Sequence, residues 1–191
     1  MRRDFDGALA WFEGPDEVSK KRWLVRYLSE AWPQERAEEA LAFSVRNAEL
    51  FTSSSVWKLF NTILGSRAAQ GPQAVEGFFK SLREAGIEAR FDLKVTLPDG
   101  FDFKTLAEGS EFAALYQKDH AAALLRAWTA QDADGAFEWL VRSHGPAALK
   151  DLAESPDLES QAYLKWLGGK MADLDAAQRA EFYGSILYSW V

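Results

Sequence analysis

The chain contains no cysteine, which excludes disulfides, thiolate nucleophiles and cysteine-ligated zinc or iron–sulfur centres. Histidine is almost as scarce. His120 and His144 are the only two, which leaves little room for metal or triad chemistry. No uninterrupted apolar run approaches the ~18 residues of a membrane-spanning helix. Gly-x-Ser-x-Gly, His-Glu-x-x-His, P-loop and dinucleotide fingerprints are all missing. Met1-Arg2-Arg3 is positive, but Asp4 and Asp6 follow it and no apolar segment does. A signal peptide is therefore not expected, and with Met1 as the native start the expected location is cytoplasmic.

What remains is ordinary globular composition, 48% hydrophobic and 27% charged over 191 residues. A chain of this length buries ~70% of its unfolded surface without a covalent staple. A single domain over 1–191 is expected. The net charge of -7 is uneven: residues 1–95 balance to zero, and residues 96–191 carry all of it. An acidic half repels phosphate backbones, so nucleic-acid binding through it is not expected. A protein partner of that half would have to be basic. The one dense cationic run, Lys20-Lys21-Arg22 with Arg26, reads as a solvated helix face.

Apolar residues recur with helical period along most of the chain. Trp23, Leu24, Tyr27 and Leu28 form one stripe, ended by Pro33. Val56, Leu59, Phe60, Ile63 and Leu64 form a second, behind the N-cap residues Thr52 to Ser55. Val75, Phe78, Phe79 and Leu82 form a third, closed by Gly86. Leu124, Leu125 and Trp128 belong to a fourth. Phe182, Tyr183, Ile186, Leu187 and Trp190 form the last, with Asp175 and Gln178 as its capping box. Gly71-Pro72 and Gly145-Pro146 mark turns in which proline opens the next helix. One segment departs from this period. Phe91, Leu93, Val95 and Leu97 alternate with polar residues, Pro98-Asp99-Gly100 signals a turn, and Phe101 and Phe103 resume the alternation. A short β-hairpin or extended insert over 89–103 is predicted, packed on helices or on a partner.

The helical part repeats. Leu28, Ala31, Trp32, Ala37, Ala40, Leu41 and Phe43 recur at identical offsets as Leu124, Ala127, Trp128, Ala133, Ala136, Phe137 and Trp139, a shift of three ~32-residue units. An alanine followed three to four positions later by an aromatic recurs at Ala8, Ala40, Ala74, Ala136 and Ala162. Alanine lets two helices approach, and an aromatic one turn away fills the groove between neighbouring hairpins. The pattern resembles the helical-hairpin repeats of α-solenoids, the tetratricopeptide type being nearest in length. Ala8-to-Phe12 and Ala74-to-Phe78 match the alanine–phenylalanine part of that motif, while no segment matches its Trp-x-x-Leu-Gly-x-x-Tyr part. The resemblance implies a protein-binding scaffold.

Asp4-x-Asp6-Gly7 and Asp132-x-Asp134-Gly135 have the opening of a calcium loop but lack its third ligand and closing glutamate, so they read as helix N-caps. His120 falls at a helix start and His144 at a helix end, where imidazolium would suit the dipole. Most of the eight tryptophans lie on apolar stripes and are expected in the core, with one or two at an interface.

The sequence thus predicts an all-α chain of stacked antiparallel helix pairs, about five hairpins, α-solenoid-like. Its expected role is a non-catalytic scaffold or adaptor that binds another protein and needs no cofactor, metal or membrane. An all-α enzyme using Asp/Glu chemistry and a fragment of a longer helical-repeat protein are the alternatives. Phe101 and Phe103 in the insert and Trp190 at the apolar C-terminal stripe are the candidate partner-binding residues, the last through self-association.

Overall fold

The structure, a computed structural model, describes residues 5–14, 18–51, 57–88, 95, 97–117, 120–153 and 161–189. These residues form α-helices and short 3-10 turns, with no strand among them. They gather into two compact units, Met1–Ala123 and Leu124–Val191.

In the first unit run α1 (Phe5–Glu13), α2 (Val18–Ala31), α3 (Ala37–Arg46), α4 (Trp57–Ala68), α5 (Pro72–Glu84), α6 (Phe103–Ala107) and α7 (Ser110–Gln117), and α8 (Ala122–Gln131) starts at its edge. α1 packs on α2, α2 and α3 on α4, α4 on α5, and α5 on α6 and α7. The second unit adds α9 (Ala133–His144), α10 (Lys150–Ala153), α11 (Gln161–Asp173) and α12 (Ala176–Ser189), with α9, α10 and α12 against a 3-10 turn at Pro146–Leu149.

Local chemistry sets the boundaries. Pro33 stops α2, and the Trp32 indole Nε1 donates to the Arg36 carbonyl at 3.0 Å across the turn. Gly86 sits at φ +72°, where its lack of a Cβ is needed, and ends α5 as a Schellman cap. There Ile87 N–H donates to the Leu82 carbonyl and Gly86 N–H to that of Arg83. The expected capping box of α12 is complete: Asp175 N–H donates to Gln178 Oε1 at 3.1 Å, and Gln178 N–H donates to Asp175 Oδ1 at 2.8 Å. The N-cap run before α4 and the α12 side chains from Ile186 onward fall outside the described residues.

The hairpin expectation is corrected where the insert is described. Residues 89–94 and Thr96 lie outside the described residues. The turn itself is present, with Phe101 N–H donating to the Pro98 carbonyl at 3.1 Å. The return arm is not extended: Phe103 opens α6, and its N-cap Asp102 accepts from Thr105 N–H at 3.0 Å. Phe101 and Phe103 both face inward because one ends a turn and the other begins a helix, which mimics the period of a strand.

Five of the seven recurring positions are buried at both places in the chain. Leu28, Trp32, Ala40, Leu41 and Phe43 are buried, and so are their counterparts Leu124, Trp128, Ala136, Phe137 and Trp139. The Trp32 and Phe43 ring centroids lie 5.1 Å apart at 45°, and those of Trp128 and Trp139 5.5 Å apart at 44°. In the first unit the repeat aromatics join a chain of contacts, Phe12 to Phe43, Phe43 to Phe51, Phe51 to Phe60 and Phe60 to Phe78. Three polar contacts span 29, 30 and 32 residues. Asp6, Glu38 and Asp134 each stand two residues before a repeat alanine. Asp6 pairs with Arg36 at 2.5 Å, 30 residues on, and Glu38 with Arg67 at 2.6 Å, 29 residues on. Asp134 accepts from Trp166 Nε1 at 3.0 Å, 32 residues on, and pairs with Lys170. Exposed ion pairs of this kind add little stability.

α5 and α7 are joined by a second device. The Glu76 carboxylate accepts from Glu111 N–H at 3.2 Å and from Phe112 N–H at 3.0 Å, capping α7 from another helix. Gly109 makes room for it: a Cβ there would lie 2.0 Å from Glu76 Oε1.

Candidate functional site

The residues singled out in the insert are not surface groups. Phe101 and Phe103 are 9% and 2% exposed and contact edge to face at 5.0 Å, so both belong to the core of the first unit. Trp190 lies outside the described residues.

The tryptophans divide. Trp32, Trp128 and Trp139 are buried and Trp166 is half-buried, whereas Trp11, Trp23 and Trp57 stand 55%, 64% and 40% exposed on α1, α2 and α4. Trp23, which shares the apolar stripe of α2 in the sequence, lies off its core face. Leu24, Val25 and Leu28 face in. At ~100° per residue Trp23 and Val25 point nearly opposite ways, so only one can reach the core.

The outer face of α2 is the most distinctive surface described. Lys20, Arg22, Trp23 and Arg26 are the exposed large side chains around it. The Trp23 ring runs parallel to that of Tyr27, with centroids 6.3 Å apart and planes at 11°. Arg26 meets Glu30 at 3.7 Å, a loose pair. Lys21 turns the other way, half-buried, with its ammonium 5.5 Å from the centre of the Phe12 ring. The basic run is thus split, with Lys21 at the core edge and Lys20, Arg22 and Arg26 exposed.

A pocket of about 250 Å³ opens between α5 and α7. Phe79, Leu82 and Ile87 form its apolar wall, and Arg83, Glu111 and His120 its polar one. Arg83 Nε and Nη2 donate to the two Glu111 oxygens at 2.8 and 2.9 Å. This fork outweighs burial and holds the Glu111 carboxyl below the usual carboxylate range. A general acid in a cleft needs the opposite displacement, so Glu111 is suited to structure rather than to proton donation. Its folded value being depressed, the ion pair contributes stability above the ordinary carboxylate range and loses it as pH falls through the lowered value. Glu111→Gln is expected to flatten the acid limb of a melting-temperature profile, and an unchanged limb would refute the linkage.

The two Asp-x-Asp-Gly segments do not gather ligands. Asp132 caps α9, accepting from Gly135 N–H at 2.9 Å. Asp134 turns to Lys170 Nζ at 2.9 Å and to Trp166, which together hold its carboxyl below the usual range. Asp6 turns to Arg36, and Asp4 lies outside the described residues. Among the described residues no group of three or more His, Asp or Glu is placed to hold a metal ion. Asp132→Ala should cost ~1 kcal/mol through the lost cap. Calcium should leave the melting temperature of both proteins unchanged, and a calcium-dependent rise abolished by Asp132→Ala would contradict the cap assignment.

His144 ends α9 as expected, but the dipole does not set its state. Burial pushes its imidazole down from the ordinary value, and the ring packs edge-on against Trp139 at 4.7 Å. It therefore acts as a neutral aromatic at neutral pH. In the same unit, burial raises the Tyr163 phenol to about 12.

Sequence reasoning missed Trp23 as a surface group, the Arg83–Glu111 fork and the Glu76 cap. Only the first had a legible signal, the opposed angles of Trp23 and Val25.

The protein-family models, curated proteins and solved structures compared with the chain contain no match to it. No described helix is long and apolar enough to cross a membrane.

Proposed function

We propose that the chain is a non-catalytic protein-binding scaffold built from helical-hairpin repeats stacked in the manner of an α-solenoid. The polar contacts at spacings of 29, 30 and 32 residues and the paired rings of Trp32–Phe43 and Trp128–Trp139 support a repeating unit. The observation that carries the binding role is the placement of Trp11, Trp23 and Trp57. Three large rings stand 40–64% exposed on helices whose other faces are packed. Tryptophan held rigidly at a surface is the residue type most enriched at the energetic centre of protein interfaces. The pocket between α5 and α7 gives less support to an enzyme, since its half-buried carboxylate is already engaged by Arg83.

The immobilised protein is expected to retain a partner from a cell extract. A variant with Trp11, Trp23 and Trp57 all changed to alanine should lose that partner at an unchanged melting temperature. Identical sets of captured proteins from the two would overturn the scaffold reading.

A further inference from the structure

We infer that the pocket between α5 and α7 is a binding site for a small organic carboxylate, an apolar ring or branched chain that ends in one carboxyl group. The inference does not rest on the scaffold reading, because none of the tryptophans that carry that reading lines the pocket.

The shape of the pocket sets the size of the ligand. Its described lining belongs to the first unit and comes from α5, α7 and the residues just after each. Its volume of about 250 Å³ lies below the ~300–1,000 Å³ of sites for drug-sized molecules and above the ~150 Å³ that admits benzene. One ring or branched chain with a short acidic arm fits that range. Phe79, Leu82 and Ile87 are buried, so the core behind them fixes the apolar wall before a ligand arrives.

The unspent donors set the charge of the ligand. A guanidinium carries five N–H groups, and Arg83 spends two of them, from Nε and Nη2, on Glu111. The remaining edge, Nη1 with the second N–H of Nη2, has the same fork geometry and suits a second carboxylate. No described residue accepts from that edge, and the Arg83 side chain is 54% exposed. His120 adds another donor. It is half-buried on the polar wall, and its hydrogen bond to the Leu115 carbonyl comes from the backbone, which leaves the imidazole to a ligand.

A cationic ligand finds less. Both Glu111 oxygens are taken by the Arg83 fork, and Glu88, exposed at the rim, is not free either. An ammonium would also meet the charge of Arg83 and that of Lys80, which is near enough to act on Glu111.

The test is calorimetric titration of the full chain with hydrocinnamate and with isocaproate, with amide chemical shifts to locate the site. At least one acid should bind, and the shifts should centre on α5 and α7. Arg83→Gln should weaken binding about tenfold or more through the lost charge-assisted fork, and His120→Ala about threefold through one lost hydrogen bond. Ala114→Phe, which fills the pocket and leaves the fork intact, should abolish it. Phenylpropylamine and hydrocinnamamide, which keep the ring without the negative charge, should bind about tenfold less tightly or worse. Neither Arg83 nor His120 is a core residue, and the melting temperature of each variant shows that it folds. Failure of both acids to bind, shifts centred elsewhere, or undiminished binding by Arg83→Gln overturns the inference. Equal binding of the amine or the amide overturns it as well, because the unspent donors would then not select the ligand.

Discussion

Gly109→Ala is expected to destabilise the protein by ~2–3 kcal/mol, although it adds only one methyl group outside the hydrophobic core. The new Cβ would lie 2.0 Å from Glu76 Oε1 and 2.2 Å from its carboxyl carbon, so the carboxylate must swing away. Glu111 N–H and Phe112 N–H then lose a charged acceptor at the positive end of α7. Hydrogen bonds to a charged group are worth ~1.5–3 kcal/mol each, and water recovers part of the loss. The backbone at Gly109 is not in the left-handed region, so the cost comes from the displaced cap and not from strain. Glu76→Ala should cost a similar amount by removing the same cap. In the Glu76→Ala background the Gly109→Ala change should cost little, because nothing remains to be expelled. Denaturant unfolding of the two single variants and the double variant measures this coupling. Additive losses would show that Gly109 acts independently of Glu76.

Trp128→Ala is expected to have the largest effect of any single substitution considered, ~3–5 kcal/mol. The side chain is 1% exposed and packs against Trp139 at 5.5 Å. Its removal leaves a cavity in the core beside Trp139. That loss is a large share of the stability of an ordinary domain. Trp128→Phe should recover much of it by refilling the space with another ring. Trp23→Ala provides the contrast: the same residue type, 64% exposed, is expected to move stability by no more than ~0.5 kcal/mol. Chemical denaturation of the three variants, with hydrogen exchange in α9 as a local readout, is the measurement. A Trp23→Ala loss comparable to that of Trp128→Ala would mean that this face of α2 is core, which would weaken the scaffold reading.

The features readable from the sequence were those whose partners are neighbours in the chain. Asp175 and Gln178 find each other three residues apart, Asp132 reaches the N–H of Gly135, and Gly86 turns the chain that has just formed α5. Such contacts close within one helical turn, so residue type and spacing are enough to predict them. The burial of the repeat positions was legible for a related reason. Helical period assigns Leu28 and Trp32, or Leu124 and Trp128, to one face, and an apolar face must be covered. Local pattern was insufficient where two conformations share a period. Phe101 and Phe103 alternate as a strand would, but a turn and a helix start place both inward, and the bond from Thr105 N–H to Asp102 favours the helix.

Other choices belonged to tertiary structure alone. With 22 cations and 29 anions in the chain, nothing in the sequence selects Arg83 for Glu111 or Arg36 for Asp6. The stacking of helices brings those pairs within reach, and Coulomb attraction then acts on what is near. The same holds for Glu76 and the N-terminus of α7, which meet across 35 residues in a gap that only glycine leaves open. It holds for the tryptophans too. Sequence placed most of them on apolar stripes, but an α-helix turns only part of its circumference to its neighbours. The packing of α1 and α4 against α2 buried Leu24, Val25 and Leu28 and left Trp23 outside among cations.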